Sequence, residues 1–125
     1  MIKVLLIEDD PSQIFIYEAA FALNDLTTTS VAHFQEALEK IKMDKPDIIL
    51  LDIVLSEDDG LVFLEKFKQN DLSKDIPVVM FTNSSGMELQ KKAFALGALD
   101  FIIKSQATPS ETAEKIKKIL EKLER

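Results

Sequence analysis

Five polar residues stand directly after short apolar runs, and their types could together handle a phosphoryl group. Glu8 and Asp9 follow Ile2-Lys3-Val4-Leu5-Leu6-Ile7, and Asp10 comes next. Asp52 ends Asp47-Ile48-Ile49-Leu50-Leu51, Thr82 ends Ile76-Pro77-Val78-Val79-Met80-Phe81, and Lys104 ends Leu99-Asp100-Phe101-Ile102-Ile103. Taken singly, each has an ordinary explanation. Asp10 before Pro11 is an N-cap, and Glu8 and Asp9 are solvated acids beside a positive helix terminus. Asp52 starts a turn, Thr82 is a β-branched strand residue, and Lys104 is a snorkelling surface lysine. None of these explanations accounts for one compatible chemistry at four separate run ends. Acids crowded together repel unless a cation neutralises them, and hard carboxylate oxygens suit octahedral Mg²⁺. A carboxylate can then act as nucleophile toward phosphorus, with an ammonium and a hydroxyl left to serve the other phosphoryl oxygens. No glycine-rich phosphate loop is present, so nucleotide binding is poorly supported.

The elements that must position these groups are legible in the hydrophobic pattern. The apolar runs are short and mostly unalternated, as strands covered on both faces are. Between them Phe34, Ala37, Leu38 and Ile41 recur at helical spacing, as do Leu61, Leu64 and Phe67, then Leu89, Ala93 and Leu96, and last Ala113, Ile116, Leu120 and Leu123. Residues 11–25 are apolar on more than one side but have a strong helix start in Asp10-Pro11. Thr27 to Val31 forms a weaker, polar strand suited to an edge. Gly97 falls where a helix C-terminal glycine belongs. Strand and helix thus alternate five times, which predicts a doubly wound parallel sheet with helices on both faces. The strand ends would meet at one edge, where open α/β sheets bind ligands.

Bulk properties narrow the function. The 125 residues suit one domain spanning 1–125, with 46% hydrophobic residues for a core and 30% charged residues for its outside. Twenty-two acids against 15 bases leave a net charge of −7, which gives no footprint for a nucleic-acid backbone. No apolar run reaches the roughly 18 residues of a membrane span, and the N-terminus lacks a signal-peptide pattern. With no cysteine, disulfides and thiolate metal sites are excluded, and a cytoplasmic location is the default. His33, the only histidine, falls in a loop position and reads as a surface residue. Lys115, Lys117, Lys118 and Lys122 read as a solvated helix face with pairs such as Glu114–Lys118, and the acids at 57–59 as another solvated cluster.

Over essentially its whole length the sequence resembles the receiver domain of two-component response regulators, in a stand-alone form. Val4-Leu5-Leu6-Ile7-Glu8-Asp9-Asp10-Pro11 is similar to the family's first strand and acidic pair, and Asp47 to Asp52 with Asp59-Gly60-Leu61 to its phosphoacceptor segment. Ile76 to Thr82 resembles the switch strand, and Gly97 to Lys104 the last strand with its lysine. Thirty residues separate Asp52 from Thr82, and 22 separate Thr82 from Lys104, in the family's register. The resemblance implies a flavodoxin-like (βα)₅ fold with strand order 2-1-3-4-5.

It also implies roles. Asp52 would be the phosphoacceptor, Asp9 and Asp52 direct Mg²⁺ ligands, Glu8 a ligand through water, and the Val54 carbonyl the remaining protein ligand. Lys104 would neutralise the acyl phosphate, Thr82 would turn toward it, and Phe101 would swing inward in response. The implied partners are a sensor histidine kinase or histidine phosphotransfer protein and a downstream protein, with neither nucleic acid nor membrane. Three positions depart from the pattern: Ser56 and Ser105 stand where proline is common, and Asn83 where a smaller residue is usual. A non-proline cis bond costs about 2.5–4 kcal/mol, which favours a trans Lys104–Ser105 bond. The departures at Asn83 and Ser105 support an alternative, a receiver-like interaction module that works without phosphate. A phosphatase or flavin protein of similar fold fits less well. The acid-rich first loop would repel a flavin phosphate, and an Asp-x-Asp nucleophile motif is absent.

Overall fold

The computed structural model describes residues 1–56 and 58–124, so Glu57 of the acidic run and the terminal Arg125 lie outside the described residues. The elements are β1 (Ile2–Ile7), α1 (Pro11–Ala22), β2 (Leu26–Val31), α2 (Phe34–Met43), β3 (Ile48–Leu51), α3 (Gly60–Gln69), β4 (Val78–Thr82), α4 (Met87–Ala95), β5 (Asp100–Ile103) and α5 (Pro109–Leu123). Lys104–Gln106 forms a 3₁₀ turn between β5 and α5. All strand pairs are parallel, in the expected order β2-β1-β3-β4-β5.

The two faces of the sheet carry separate cores. Leu5, Ile7, Ile49, Leu51, Val78, Met80 and Phe101 pack with side chains of α2, α3 and α4. Val4, Leu6, Ile48, Leu50, Val79, Phe81 and Ile102 pack with Tyr17 and Phe21 of α1 and Ala113 and Ile116 of α5. This explains the unalternated runs: every residue of β3 is buried, because each face has a helical cover. β2 lies at an edge and keeps Leu26 and Val31 buried at its ends, with more exposed Thr and Ser between.

Differences from the expected boundaries have local causes. β4 starts at Val78 rather than Ile76, since Pro77 has no N–H for the ladder, although its carbonyl still accepts from Ile49 N at 2.9 Å. β2 gains Leu26, which pairs with Ile2. β5 loses Leu99, whose N–H still reaches the Val78 carbonyl at 2.8 Å. α5 ends at Leu123 with Glu124 as its cap.

The expected helix signals at Asp10-Pro11 and Gly97 are realised in the structure. Asp10 accepts from Ser12 N at 2.9 Å with Pro11 in the first helical position, and Thr108 and Glu111 make a reciprocal capping box. Gly97 ends α4 at φ +108°, a conformation that favours glycine. On α5, Glu114 pairs with Lys117 at 3.4 Å, one position short of the expected Lys118 partner. Among the described residues no helix is long and apolar enough to cross a membrane.

Candidate functional site

The carboxyl ends of β1, β3, β4 and β5 lie side by side. Ile7 pairs with Leu51, Leu51 with Met80, and Thr82 with Ile103. Glu8, Asp52 and Lys104, from three distant parts of the chain, therefore emerge beside one another. The chain passes from β1 to β2 on one side and returns to β3 on the other, so the crevice lies at the point where strand order reverses.

One ammonium organises the cleft. Lys104 Nζ donates to Glu8 Oε1 at 2.5 Å, to Asp52 Oδ2 at 2.9 Å and to Gln13 Oε1 at 2.5 Å. It also sits 5.2 Å from the centroid of the Phe81 ring. Only 7% of Lys104, 3% of Glu8 and 8% of Asp52 is exposed, so these are buried charges, which persist only when paired and hydrogen-bonded. The remaining oxygens are served by backbone. Glu8 Oε2 accepts from Asp9 N at 3.0 Å and Asp10 N at 3.3 Å, and Asp52 Oδ1 accepts from Val54 N at 3.2 Å. Asp9 Oδ2 accepts from Ser56 N at 2.7 Å across the mouth.

The electrostatics follow from burial and these bonds. Burial pushes the Glu8 carboxyl above its ordinary value, and the opposing hydrogen bond and charge of Lys104 do not cancel the effect. For Lys104 burial acts downward, but the bonds to Glu8 and Asp52 outweigh it and raise the ammonium above its usual value. At Asp9 burial acts upward and is outweighed by the Ser56 hydrogen bonds, so the carboxyl is held below its usual value and stays ionised.

The other expected residues fall around this core. Thr82 is buried, with its hydroxyl accepting from Ser84 N at 3.2 Å. Val54 lines the cleft with its side chain exposed, and Asn83 lines it from an exposed position at the end of β4. Phe101 lies inward, buried in the core on the α3–α4 side, the face that also carries Met80. The Lys104–Ser105 bond is trans, as no cis peptide occurs among the described residues. Asp10 caps α1 and also lines the cleft. His33 is exposed at the position preceding α2.

Two members of the site were not expected. Gln13 lies in the first turn of α1, where a polar side chain ahead of Ile14-Phe15-Ile16 was a usable signal, since that turn must follow β1 at the sheet edge. Phe81 passed for plain core because its contact with Lys104 is purely tertiary.

The cleft has a volume of about 270 Å³ and suits a hard cation by its donor chemistry. Asp9 and Asp52 offer carboxylate oxygens, and Val54 borders the same space. Glu8 is held on Lys104, and among the described residues no three acidic or histidine side chains form a metal-holding group by themselves. Two carboxylates with a backbone carbonyl and water would make a donor set that Mg²⁺ accepts.

A parallel five-stranded α/β domain with an acid-and-lysine cleft at its strand ends is a recognisable class of signalling module, and comparison identifies it. The model of the response regulator receiver domain matches residues 4–118. The transcriptional regulatory protein KdpE of Staphylococcus aureus is 32% identical over 102 residues, covering 82% of this chain and 43% of KdpE, so the chain spans less than half of that relative. The crystal structure of a CheY-like response regulator receiver domain protein from Methanospirillum hungatei matches with a TM-score of 0.86 at 25% identity, over 99% of this chain and 97% of that one. A two-component response regulator from Clostridium difficile shares the fold over 100% of both chains, with a TM-score of 0.87 at 24% identity. The chain belongs to the response regulator receiver domain family. Receiver domains of this family typically bind Mg²⁺.

Proposed function

We propose that the chain is a phosphorylatable switch in which Asp52 accepts a phosphoryl group from a phosphohistidine, carried by a sensor kinase or phosphotransfer protein in the cytoplasm. The observation that supports this most is the single buried ammonium of Lys104, bonded to both Asp52 and Glu8 where four strand ends meet. In the transfer an Asp52 carboxylate oxygen forms the new O–P bond. The P–N bond to the donor imidazole breaks, and its electron pair stays with the ring nitrogen. Lys104 gives up its bond to Asp52 and donates instead to a phosphoryl oxygen, while its bond to Glu8 keeps it in place. The Thr82 hydroxyl turns from Ser84 N to a second phosphoryl oxygen, which draws the end of β4 toward Asp52. Phe101, two strand positions before the β5 partner of Thr82, is the core side chain that would register this movement.

Asp9, Asp52 and the Val54 carbonyl would hold Mg²⁺, with Glu8 contributing through water. When bound, the ion offsets the repulsion between the carboxylates and the incoming phosphoryl group. The domain in this reading spans 1–125, and its output is altered binding of a protein partner, without nucleic acid or membrane.

Incubation with Mg²⁺ and acetyl phosphate, followed by intact mass, tests the reading. A single phosphoryl adduct is expected on the wild type and none on Asp52→Asn. An unmodified wild type, or an equal adduct on the variant, overturns it. The alternative of a phosphate-independent module, suggested by exposed Asn83 at the cleft and Ser105 beside it, predicts partner binding indifferent to beryllofluoride and to Asp52→Asn.

A further inference from the structure

An ammonium has three N–H donors, and Lys104 spends one each on Glu8, Asp52 and Gln13. These acceptors are not equivalent. Asp52 is the group that would change on phosphorylation. Glu8 is a carboxylate whose second oxygen is occupied by the backbone of Asp9 and Asp10. Gln13 alone is neutral, and it is carried by the first turn of α1, which Asp10 caps and whose first φ Pro11 fixes. Gln13 also stands between the cleft and a second, smaller pocket of about 160 Å³ that reaches Tyr17 and Ser105, so it forms part of the wall behind Lys104.

We propose that Gln13 is a positioning residue for phosphoryl transfer, fixing the Lys104 ammonium so that its third N–H is aimed at the phosphoacceptor. This rests on the assignment of Asp52 as that acceptor. With Glu8 and Gln13 as permanent acceptors, the ammonium changes only one partner when the phosphoryl group arrives. The choice of an amide is chemical. Glu8 and Asp52 already put two carboxyl groups on Lys104, Asp9 and Asp10 line the same cleft, and the incoming reagent is an anion. A further carboxylate at position 13 would hold Lys104 equally well but repel the phosphoryl group and draw the ammonium from Asp52.

Two variants separate positioning from simple structural support. Gln13→Met keeps the bulk and removes the acceptor; Gln13→Glu keeps an acceptor and adds charge. Solvent exchange of the Lys104 ammonium protons, followed by NMR with Lys104→Arg to assign the signal, reads the geometry without phosphorylation. Beryllofluoride titration in Mg²⁺ reads its consequence, and thermal unfolding reads stability. In Gln13→Met, exchange is expected to speed up about tenfold, with beryllofluoride half-saturation rising about three- to tenfold, the size of one hydrogen bond. In Gln13→Glu, half-saturation is expected to rise about tenfold or more with no loss of thermal stability, a split that a merely structural role cannot produce. Unchanged exchange in Gln13→Met overturns the proposal, as do half-saturation values within twofold of wild type in both variants. A wild type that takes neither beryllofluoride nor acetyl phosphate would instead defeat the assignment of Asp52, and the exchange measurement would still decide whether Gln13 holds Lys104.

Discussion

Gly60 opens α3, and its Cα faces the backbone that carries Asp52. A Cβ added there would stand 2.0 Å from the Asp52 carbonyl oxygen, 2.6 Å from Ile53 Cα and 2.8 Å from the Asp52 carbonyl carbon. Helix propensity alone would make Gly60→Ala stabilising by at most about 1 kcal/mol, since Gly60 is the first residue of α3. The contacts reverse that sign. Their partners are backbone, which cannot rotate aside, so α3 and the β3–α3 connection must separate by about 1 Å to restore van der Waals distance. Overpacking of this kind costs about 1–3 kcal/mol and sometimes more. The Gly60 N–H bond to the Ile53 carbonyl, 2.8 Å long, is strained in the same movement, at a further cost of about 1 kcal/mol. The net expectation is a loss of about 1–3 kcal/mol, or roughly 4–12 °C in Tm for a domain of this size. Urea unfolding followed by circular dichroism measures it. Because the displaced group is Asp52 itself, acetyl phosphate labelling of the folded variant should also slow by about 10- to 100-fold. A Gly60→Ala protein as stable as wild type, or more stable, would refute the claim that this close approach fixes the phosphoacceptor.

Two further outcomes follow from the cleft. Lys104→Met leaves Glu8 and Asp52 buried without their cation, which should cost about 3–5 kcal/mol at pH 8. The deficit depends on pH. A carboxyl raised above its ordinary 4.5 binds more protons folded than unfolded, so stability falls as pH rises through the window between 4.5 and its folded value. Removing Lys104 takes away influences that lower the Glu8 value and so widens that window, making the deficit smaller at pH 5 than at pH 8; urea unfolding that gives equal deficits at both would count against this reasoning. Thr82→Ala should still accept phosphate from acetyl phosphate within about threefold of the wild-type rate, since Thr82 is not the nucleophile. It should lose most of the beryllofluoride-induced NMR shift changes along β4 and at Phe101, and their persistence would remove Thr82 from the switch.

How much of this was legible in the sequence depends on the range of the interaction. Runs such as Ile48-Ile49-Leu50-Leu51 declare a strand buried on both faces because nothing polar interrupts them, and all four residues are buried. Asp10-Pro11 marks a helix start through a contact spanning two residues, so its reading survives in the structure. The strand-end rule brought Glu8, Asp52 and Lys104 to one edge without any side-chain geometry. What it could not supply was the pairing. Lys104 meets Glu8 across 96 positions and Gln13 across 91, and no periodicity encodes a bond of that separation. Gly60 is similar: the sequence shows it only as part of Asp59-Gly60-Leu61 in the phosphoacceptor-like segment, whereas its necessity comes from the Asp52 backbone lying against it.

Ser56 changes meaning in the same way. As a departure from the family pattern it concerns the shape of a loop, but its backbone N–H is what holds Asp9 Oδ2 at 2.7 Å. Proline at this position has no N–H and could not make that bond. In this chain, then, each of the three acids is held by donors of the protein: Glu8 by Lys104 and two backbone amides, Asp52 by Lys104 and Val54, and Asp9 by Ser56. The donors satisfy hydrogen-bonding capacity, but only Lys104 among them brings a charge. Three carboxyl groups and one ammonium lining the same cleft leave an excess of negative charge at a site whose proposed reagent is an anion, and backbone dipoles cannot remove it. A divalent cation can, and Asp9 and Asp52, which both line the cleft, are the carboxylates that would hold the proposed Mg²⁺.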